Sequence, residues 1–291
     1  MATWAVVTTV RAPEHHVKRF IKHYLDAGAR RIYIFFDDPD FAFPQNDDRL
    51  KQVVCDGEYW KNGRPGSIED RQRFNARRAL KWSDSDWLFH CDADELVTGH
   101  GPISAALATV PGNVASVLVP PYEAVYVHEP SQQDAFDTRY FKRPMKVETG
   151  YHPIVWECFG PLSRMTTGGF WGHLRGKSFY RKAFCDFIPI HRFEESINGH
   201  LVSYEVPGMK LLHFDTLTFI DWKEKSLRRL DGAVLAKEMG GRREQQIEAV
   251  RNARDKWGEW GLHDLYRRMA VFDGDLMRKA IEAGFVVEVD R

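Results

Sequence analysis

The apolar positions of the chain fall into short continuous runs separated by amphipathic stretches. Residues 4–10 form an uninterrupted apolar and β-branched run, the pattern of a strand covered on both faces. Pro13 and Glu14 open a helix in which Val17, Phe20, Ile21, Tyr24 and Leu25 recur at helical spacing, and Gly28 stops it. Residues 31–36 make a second buried run that ends at Asp37-Asp38-Pro39. Strand, helix and strand within about 35 residues define a βαβ unit, which demands a parallel sheet. A loop at 41–48, a weaker strand at 50–56, a turn at 63–66 and a helix over 69–82 follow. The helix carries Arg71, Arg73, Arg77 and Arg78, and a strand over 87–91 runs from it into Asp92-Ala93-Asp94-Glu95.

Beyond this point the periods are shorter. A helix is expected over 103–109 and strands over 114–119, 122–128, 178–184 and 208–213. Residues 129–176 are rich in Gly, Pro and aromatics and read as irregular. Helices are expected over 222–238, 242–257, 264–271 and 275–283. The expected organisation is an α/β domain over 1–215 and a helical C-terminal region over 216–291 packed on it.

Composition changes this picture only in part. At 291 residues, with 43% hydrophobic and 28% charged positions, the chain can build a large core. Forty-one cations balance forty-one carboxylates, which argues against a nucleic-acid partner. Nine Trp serve either a core of large side chains or surfaces on which a sugar ring or base stacks. Cys55, Cys91, Cys158 and Cys185 are far apart and form no C-x-x-C pair, so neither a zinc site nor a disulfide framework is expected. Residues 1–10 lack the pattern of a secretory leader, and no run of about 18 apolar residues occurs, so a cytoplasmic location is expected. Lys223, Lys225, Arg228, Arg229, Lys237, Arg242 and Arg243 form either a solvated face or a peripheral contact with a membrane. The oligomeric state is left open.

In open α/β sheets, ligands sit outside the carboxyl ends of the strands. Three polar segments fall at such ends: Thr8-Thr9-Val10-Arg11, Asp37-Asp38 and Asp92-Ala93-Asp94-Glu95. Two carboxylates at i and i+2 after a buried strand can face one hard cation, which would bridge phosphate oxygens and stabilise a leaving diphosphate. The same two residues equally serve as caps of a turn or of the following helix.

The segment Trp87-Leu88-Phe89-His90-Cys91-Asp92-Ala93-Asp94-Glu95-Leu96 resembles the D-x-D strand of family-2-like glycosyltransferases with the GT-A fold. The opening elements through Asp37-Asp38, the helix containing Arg73-Phe74-Asn75-Ala76-Arg77-Arg78-Ala79-Leu80, and Leu211-Leu212-His213-Phe214 before Trp222-Lys223-Glu224-Lys225-Ser226 are similar to that family as well. The resemblance covers residues 3–120 closely and 175–230 loosely. It implies a GT-A-like, Rossmann-type mixed sheet, mainly parallel and flanked by helices, and a metal-assisted transfer in polysaccharide biosynthesis, with inversion preferred and retention the alternative. The donor would be a nucleotide-sugar, UDP-linked in this reading, and the acceptor a hydroxyl of a glycan or lipid-linked saccharide.

By resemblance, Asp92 and Asp94 would hold Mn²⁺ or Mg²⁺ and the donor, with Asp94 the direct ligand and His213 a further one. Thr9, Arg11, Asp38, Arg71, Asn75, the Asp92-Ala93-Asp94 segment and Lys177 would line the donor site. Lys177 and Arg181 would offset leaving-group charge, or simply lie at the surface. Trp171, in the loop Gly168-Gly169-Phe170-Trp171-Gly172-His173, and His191 are expected on the acceptor side; a buried Trp in a Gly-rich turn is the alternative. The Glu-Asp pair of many family members is absent after Gly169. The candidate bases are therefore Asp186, His191, Glu194 and Glu195, with Glu195 and Asp186 preferred.

The chain lacks a P-loop, a G-x-G-x-x-G after the first strand, G-x-S-x-G and H-E-x-x-H. Two other classes remain: a nucleotidyltransferase on a related core, disfavoured by Arg11-Ala12-Pro13 where a Gly-rich loop belongs, and a non-catalytic glycan-binding protein.

Overall fold

The computed structural model describes every residue except 44, 146–151, 173, 192–195, 198, 233–240 and 291. In chain order the strands are β1 (Trp4–Val10), β2 (Arg31–Phe36), β3 (Leu50–Val54), β4 (Trp87–His90), β5 (Glu95–Thr98), β6 (Ser116–Val119), β7 (Pro121–Ala124), β8 (Tyr140–Lys142), β9 (Lys177–Arg181), β10 (Tyr204–Glu205), β11 (Lys210–His213) and β12 (Val286–Glu288). The helices are α1 (Glu14–Asp26), α2 (Ile68–Trp82), α3 (Ile103–Ala108), α4 (Pro153–Phe159), α5 (Phe219–Asp231), α6 (Gly241–Ala270) and α7 (Gly274–Glu282). The chain forms two compact units, 1–121 with 175–211 and 122–174 with 212–291.

In the first unit seven strands lie in the order β10-β6-β9-β4-β1-β2-β3. The β3-β2-β1-β4 half is parallel throughout, and β9 runs antiparallel to both β4 and β6. The fold class is α/β, with a mainly parallel sheet flanked by helices and a helical C-terminal region, as the periodicity predicts. Every residue of β1 is buried, because helices cover both faces and alternate side chains go to opposite sides. Trp4 meets Tyr24 of α1 at a ring separation of 6.1 Å, with Phe89 and Phe179 on the same face. Ala5, Val7, Tyr33, Phe35 and Leu88 face the other way and pack with Ala76, Ala79 and Leu80 of α2. Ser67 caps α2 by accepting from the Asp70 N–H at 3.1 Å, a contribution of about 1 kcal/mol.

In the second unit β8 pairs antiparallel with β7 and β12, and β11 follows β7 in the same sheet. α6 packs with α5, α4 and the 3₁₀ turn at Gly160–Met165, and α7 packs with α4. The compact units divide at 121/122, 174/175 and 211/212. Within the stretch read as irregular, the described residues form β8 and α4, which are 3 and 7 residues long. The two helices expected at 242–257 and 264–271 are present within α6 and meet at a kink at Gly258, where the backbone is non-helical.

Candidate functional site

The order β2-β1-β4 places a topological switch point between β1 and β4, where the chain turns back across the first strand. Asp92-Ala93-Asp94 sits just past the end of β4. Its conformation is fixed by a carboxylate clamp: the Glu95 N–H donates to the Asp92 carbonyl at 3.1 Å, and the Asp92 N–H donates to Glu95 Oε2 at 2.8 Å. Glu95, expected only as a further acid of the motif, is the buried first residue of β5. From α1, the Tyr24 hydroxyl donates to the Glu95 carbonyl at 2.9 Å and accepts from the Val97 N–H at 3.2 Å. Ala93 and Asp94 are left partly exposed at the tip.

Asp92 is already engaged. Its Oδ1 accepts from Gln72 Nε2 at 2.6 Å and its Oδ2 from Lys177 Nζ at 2.9 Å, yet the side chain keeps 39% of its surface open. Lys177 is fully buried and lies 3.4 Å from Glu95 as well. Burial works against its charge, but Asp92 and Glu95 outweigh burial and hold the ammonium above the usual lysine range. Gly176 makes this placement achievable. It has φ +63°, and a Cβ there would stand 2.4 Å from the Val119 carbonyl, so only glycine lets the chain enter β9 so close to the end of β6. Lys177 and Arg181 are the two ends of β9, so Arg181 lies at the far end of the strand, opposite Trp87, where it donates to the Val114 and Pro111 carbonyls. The expected pairing of Lys177 and Arg181 around one leaving group therefore fails.

The other expected donor residues divide by burial. Thr9 Oγ1 accepts from Asn75 Nδ2 at 3.0 Å, and Asn75 Oδ1 accepts from Tyr59 at 2.5 Å. Both residues are buried, and they tie β1 to α2. Arg71 donates from Nε to Asp37 Oδ1 at 2.7 Å and from Nη2 to Oδ2 at 3.0 Å, with Arg64 3.2 Å from the same carboxylate. The Arg71 charge is thus spent on buried Asp37. Arg11 and Asp38 pair at 3.2 Å with Arg11 largely in solvent, and the Arg11 guanidinium lies 5.4 Å over Phe41. Beside this cluster His90 is buried in β4, with Nδ1 3.4 Å from the Ile190 carbonyl. Burial and the Lys177 charge push its pKa down to about 4.

Two participants were missed by the sequence reading. Gln72 lies three residues before Asn75 on the face that carries Ala76, Ala79 and Leu80. A polar residue on an apolar stripe is the signal that finds it. Asp37 follows Tyr33 and Phe35 in the alternation of β2, which sends it toward α2, whereas Asp38 was the residue expected in the pocket.

The second unit carries its own polar cluster. Glu123 of β7 lies opposite Lys142 of β8 and forms an ion pair with it, with both side chains at most 2% exposed. Glu123 also accepts from the N–H groups of Trp171 at 3.1 Å and Gly172 at 2.9 Å. Trp171 is 4% exposed and its carbonyl accepts from Gln246, so it offers no face to a sugar. Its place in a Gly-rich turn held by Glu123 is the reason. His213, at the end of β11, is 14% exposed, with Nε2 3.9 Å from Asp215 Oδ1. Lys225 donates to the same Asp215 oxygen at 2.7 Å. Burial raises the Asp215 pKa, but Lys225, His213 and Arg229 outweigh it and hold the carboxyl well below the usual range.

Asp186, a candidate base, is exposed, and His191 is partly exposed, with its carbonyl accepting from Tyr180 at 2.8 Å. Glu194 and Glu195 lie outside the described residues.

No family model matches the sequence, and no curated protein matches it. Among solved structures the chain is similar to HddC from Yersinia pseudotuberculosis, at 9% identity and a TM-score of 0.33, over 72% of this chain and 92% of that one. It is also similar to glucosyl-3-phosphoglycerate synthase from Mycobacterium tuberculosis, solved with Mn²⁺, UDP and phosphoglyceric acid. That match has 12% identity and a TM-score of 0.29, over 63% of this chain and 57% of that one. Likeness at this level transfers no residue role, and the chemistry of the chain rests on its own side chains.

Proposed function

We propose that the protein is a metal-assisted glycosyltransferase that takes a sugar from a nucleotide-sugar, UDP-linked in our reading, to a hydroxyl of a glycan or lipid-linked acceptor with inversion. The observation that carries this reading is the Asp92-Ala93-Asp94 turn at the end of β4, beside β1, at the switch point of a parallel sheet. Residues 1–215 hold the donor-binding machinery in this reading.

Asp94, on the partly exposed tip of the turn, is the proposed direct ligand of Mn²⁺ or Mg²⁺, and His213 is the further ligand that the resemblance of the sequence implies. Carboxylate oxygens and one imidazole suit either ion. When bound, the cation would neutralise the charge that develops on the leaving diphosphate. Asp92 is held by Gln72 and Lys177 with 39% of its side chain exposed, which fixes its orientation in the turn that carries Asp94. Arg11 and Asp38 remain available to the base or ribose, while Thr9, Asn75 and Arg71 act by fixing β1 and β2 against α2. Asp186 or Glu195 would take the acceptor proton, and His191 would face the acceptor.

Metal-dependent hydrolysis or transfer from UDP-sugars tests the proposal. Asp94→Ala is expected to abolish it in a protein with an unchanged melting temperature. Normal turnover by that variant would remove the site assignment, and unchanged Mn²⁺ dependence in His213→Ala would remove His213 from the ligand set.

A further inference from the structure

At the outer bend of α6 two indoles stand in solvent. Trp257 is 65% exposed and Trp260 67%, whereas none of the other seven Trp exceeds 39%. A buried Trp is the norm in this chain, so this pair requires a separate explanation.

The backbone is built to project them. Gly258 has φ 61° and ψ −140°, a conformation that an L side chain strains to adopt, and it breaks the helix between the two indoles. Gly261 then packs back on the preceding turn. A Cβ at that position would stand 2.4 Å from the Ala253 carbonyl and 2.6 Å from Trp257 Cβ. The result is a tight corner whose residues 254–260 are all exposed, with the indole centroids 5.9 Å apart and the rings at 68°.

The chemistry of the corner selects among partners. Rings meeting edge to face present no continuous flat platform, which weighs against a stacked saccharide. The two indoles offer roughly 330 Å², well under the ~800 Å² per partner of a standard protein interface, which weighs against a second copy of the chain. Five cations and three carboxylates lie along residues 251–268. Lys256, between Arg254 and Trp257, makes no ion pair among the described residues. Lys223 of α5 reaches the corner through Glu259 at 2.7 Å. Amphipathic rings with a surplus of neighbouring cations match the interfacial layer of an anionic bilayer. Among the described residues no helix is long and apolar enough to cross a membrane, so the contact would be peripheral.

We infer that the Trp257–Trp260 corner docks the protein on the headgroup region of an anionic phospholipid membrane. This contact is independent of the transferase reading, because it needs neither donor nor metal.

The test is cosedimentation of the full chain with vesicles of phosphatidylcholine containing about a quarter phosphatidylglycerol, beside pure phosphatidylcholine vesicles and a sedimentation-velocity run of the free protein. The wild type is expected to bind the anionic vesicles and to lose binding as salt rises. Trp257→Ala with Trp260→Ala is expected to lower the partition coefficient about 100-fold, roughly tenfold per indole, at an unchanged melting temperature. Lys256→Glu is expected to weaken binding to the anionic vesicles alone. The inference is overturned if the wild type ignores vesicles, if the double variant binds as well as the wild type, or if the double variant instead dissolves a self-association of the free protein.

Discussion

Each unit buries a lysine against carboxylates, and the two clusters differ in one respect. In the second unit Glu123 is sealed: Lys142 and two backbone N–H groups fill its oxygens, and neither charged side chain reaches solvent. In the first unit Lys177 is equally buried, but its partner Asp92 keeps 39% of its surface open beside the exposed tip of the turn. A closed pair ties β7, β8 and the 170–172 turn together and has nothing left to offer a ligand. A half-open pair is also held by its structural partners, yet it keeps part of its surface accessible to solvent. Burial of a charge alone does not mark a site.

The largest effect should come from breaking the sealed pair. Lys142→Met leaves Glu123 charged, buried and short of a partner, and is expected to cost about 3–5 kcal/mol in urea unfolding. Adding Glu123→Gln should recover part of that loss. A cost under about 1 kcal/mol would show that the pair is hydrated and that the contrast is false.

Lys177→Met is expected to cost less, about 2–3 kcal/mol, because Asp92 can turn to water while only Glu95 stays buried. Equal losses in the two Lys variants would erase the distinction between sealed and half-open.

His90 adds a pH signature to the first unit. Its pKa is about 4 in the folded chain, below the ordinary 6.5. Below pH 6.5 the unfolded chain takes up the proton and the folded chain does not. The stability is therefore complete above about pH 6.5 and is lost as pH falls toward 4, by about 2 kcal/mol at pH 5. His90→Asn, which keeps a donor for the Ile190 carbonyl, should flatten the pH dependence of unfolding across that window. Parallel curves for the variant and wild type would mean that His90 is not held neutral.

Asp94→Ala should have the smallest effect on stability, within about 0.5 kcal/mol, since the side chain is at the open tip of a turn that Asp92 and Glu95 already hold. A large loss would make Asp94 a structural cap, the alternative reading of the motif.

Most elements of 1–120 were legible from their apolar runs and stripes, whereas β5 was not read as a strand. The run 4–10 and the stripe of Val17, Phe20, Ile21 and Tyr24 each predict the face they bury. β8 was not legible, since it acquires its structure from pairing across the chain rather than from local pattern. The strand-end position of Asp92 and Asp94 was readable from the apolar run before them. The partners of Asp92 were not, because Lys177 arrives from 85 residues away on an antiparallel strand, and nothing local in its sequence distinguishes it from Arg181. Trp171 shows the converse: a Gly-rich loop with a Trp suggests an open surface, and Glu123, distant in sequence, closes it.

The most direct measurement of the central claim is calorimetric titration of UDP, GDP and CDP into the folded wild type and Asp94→Ala, each with and without Mn²⁺. The account predicts saturable binding of one nucleotide, UDP in our reading, that requires both Mn²⁺ and Asp94. Binding that is indifferent to Mn²⁺ and to Asp94, or no binding of any of the three, would contradict it.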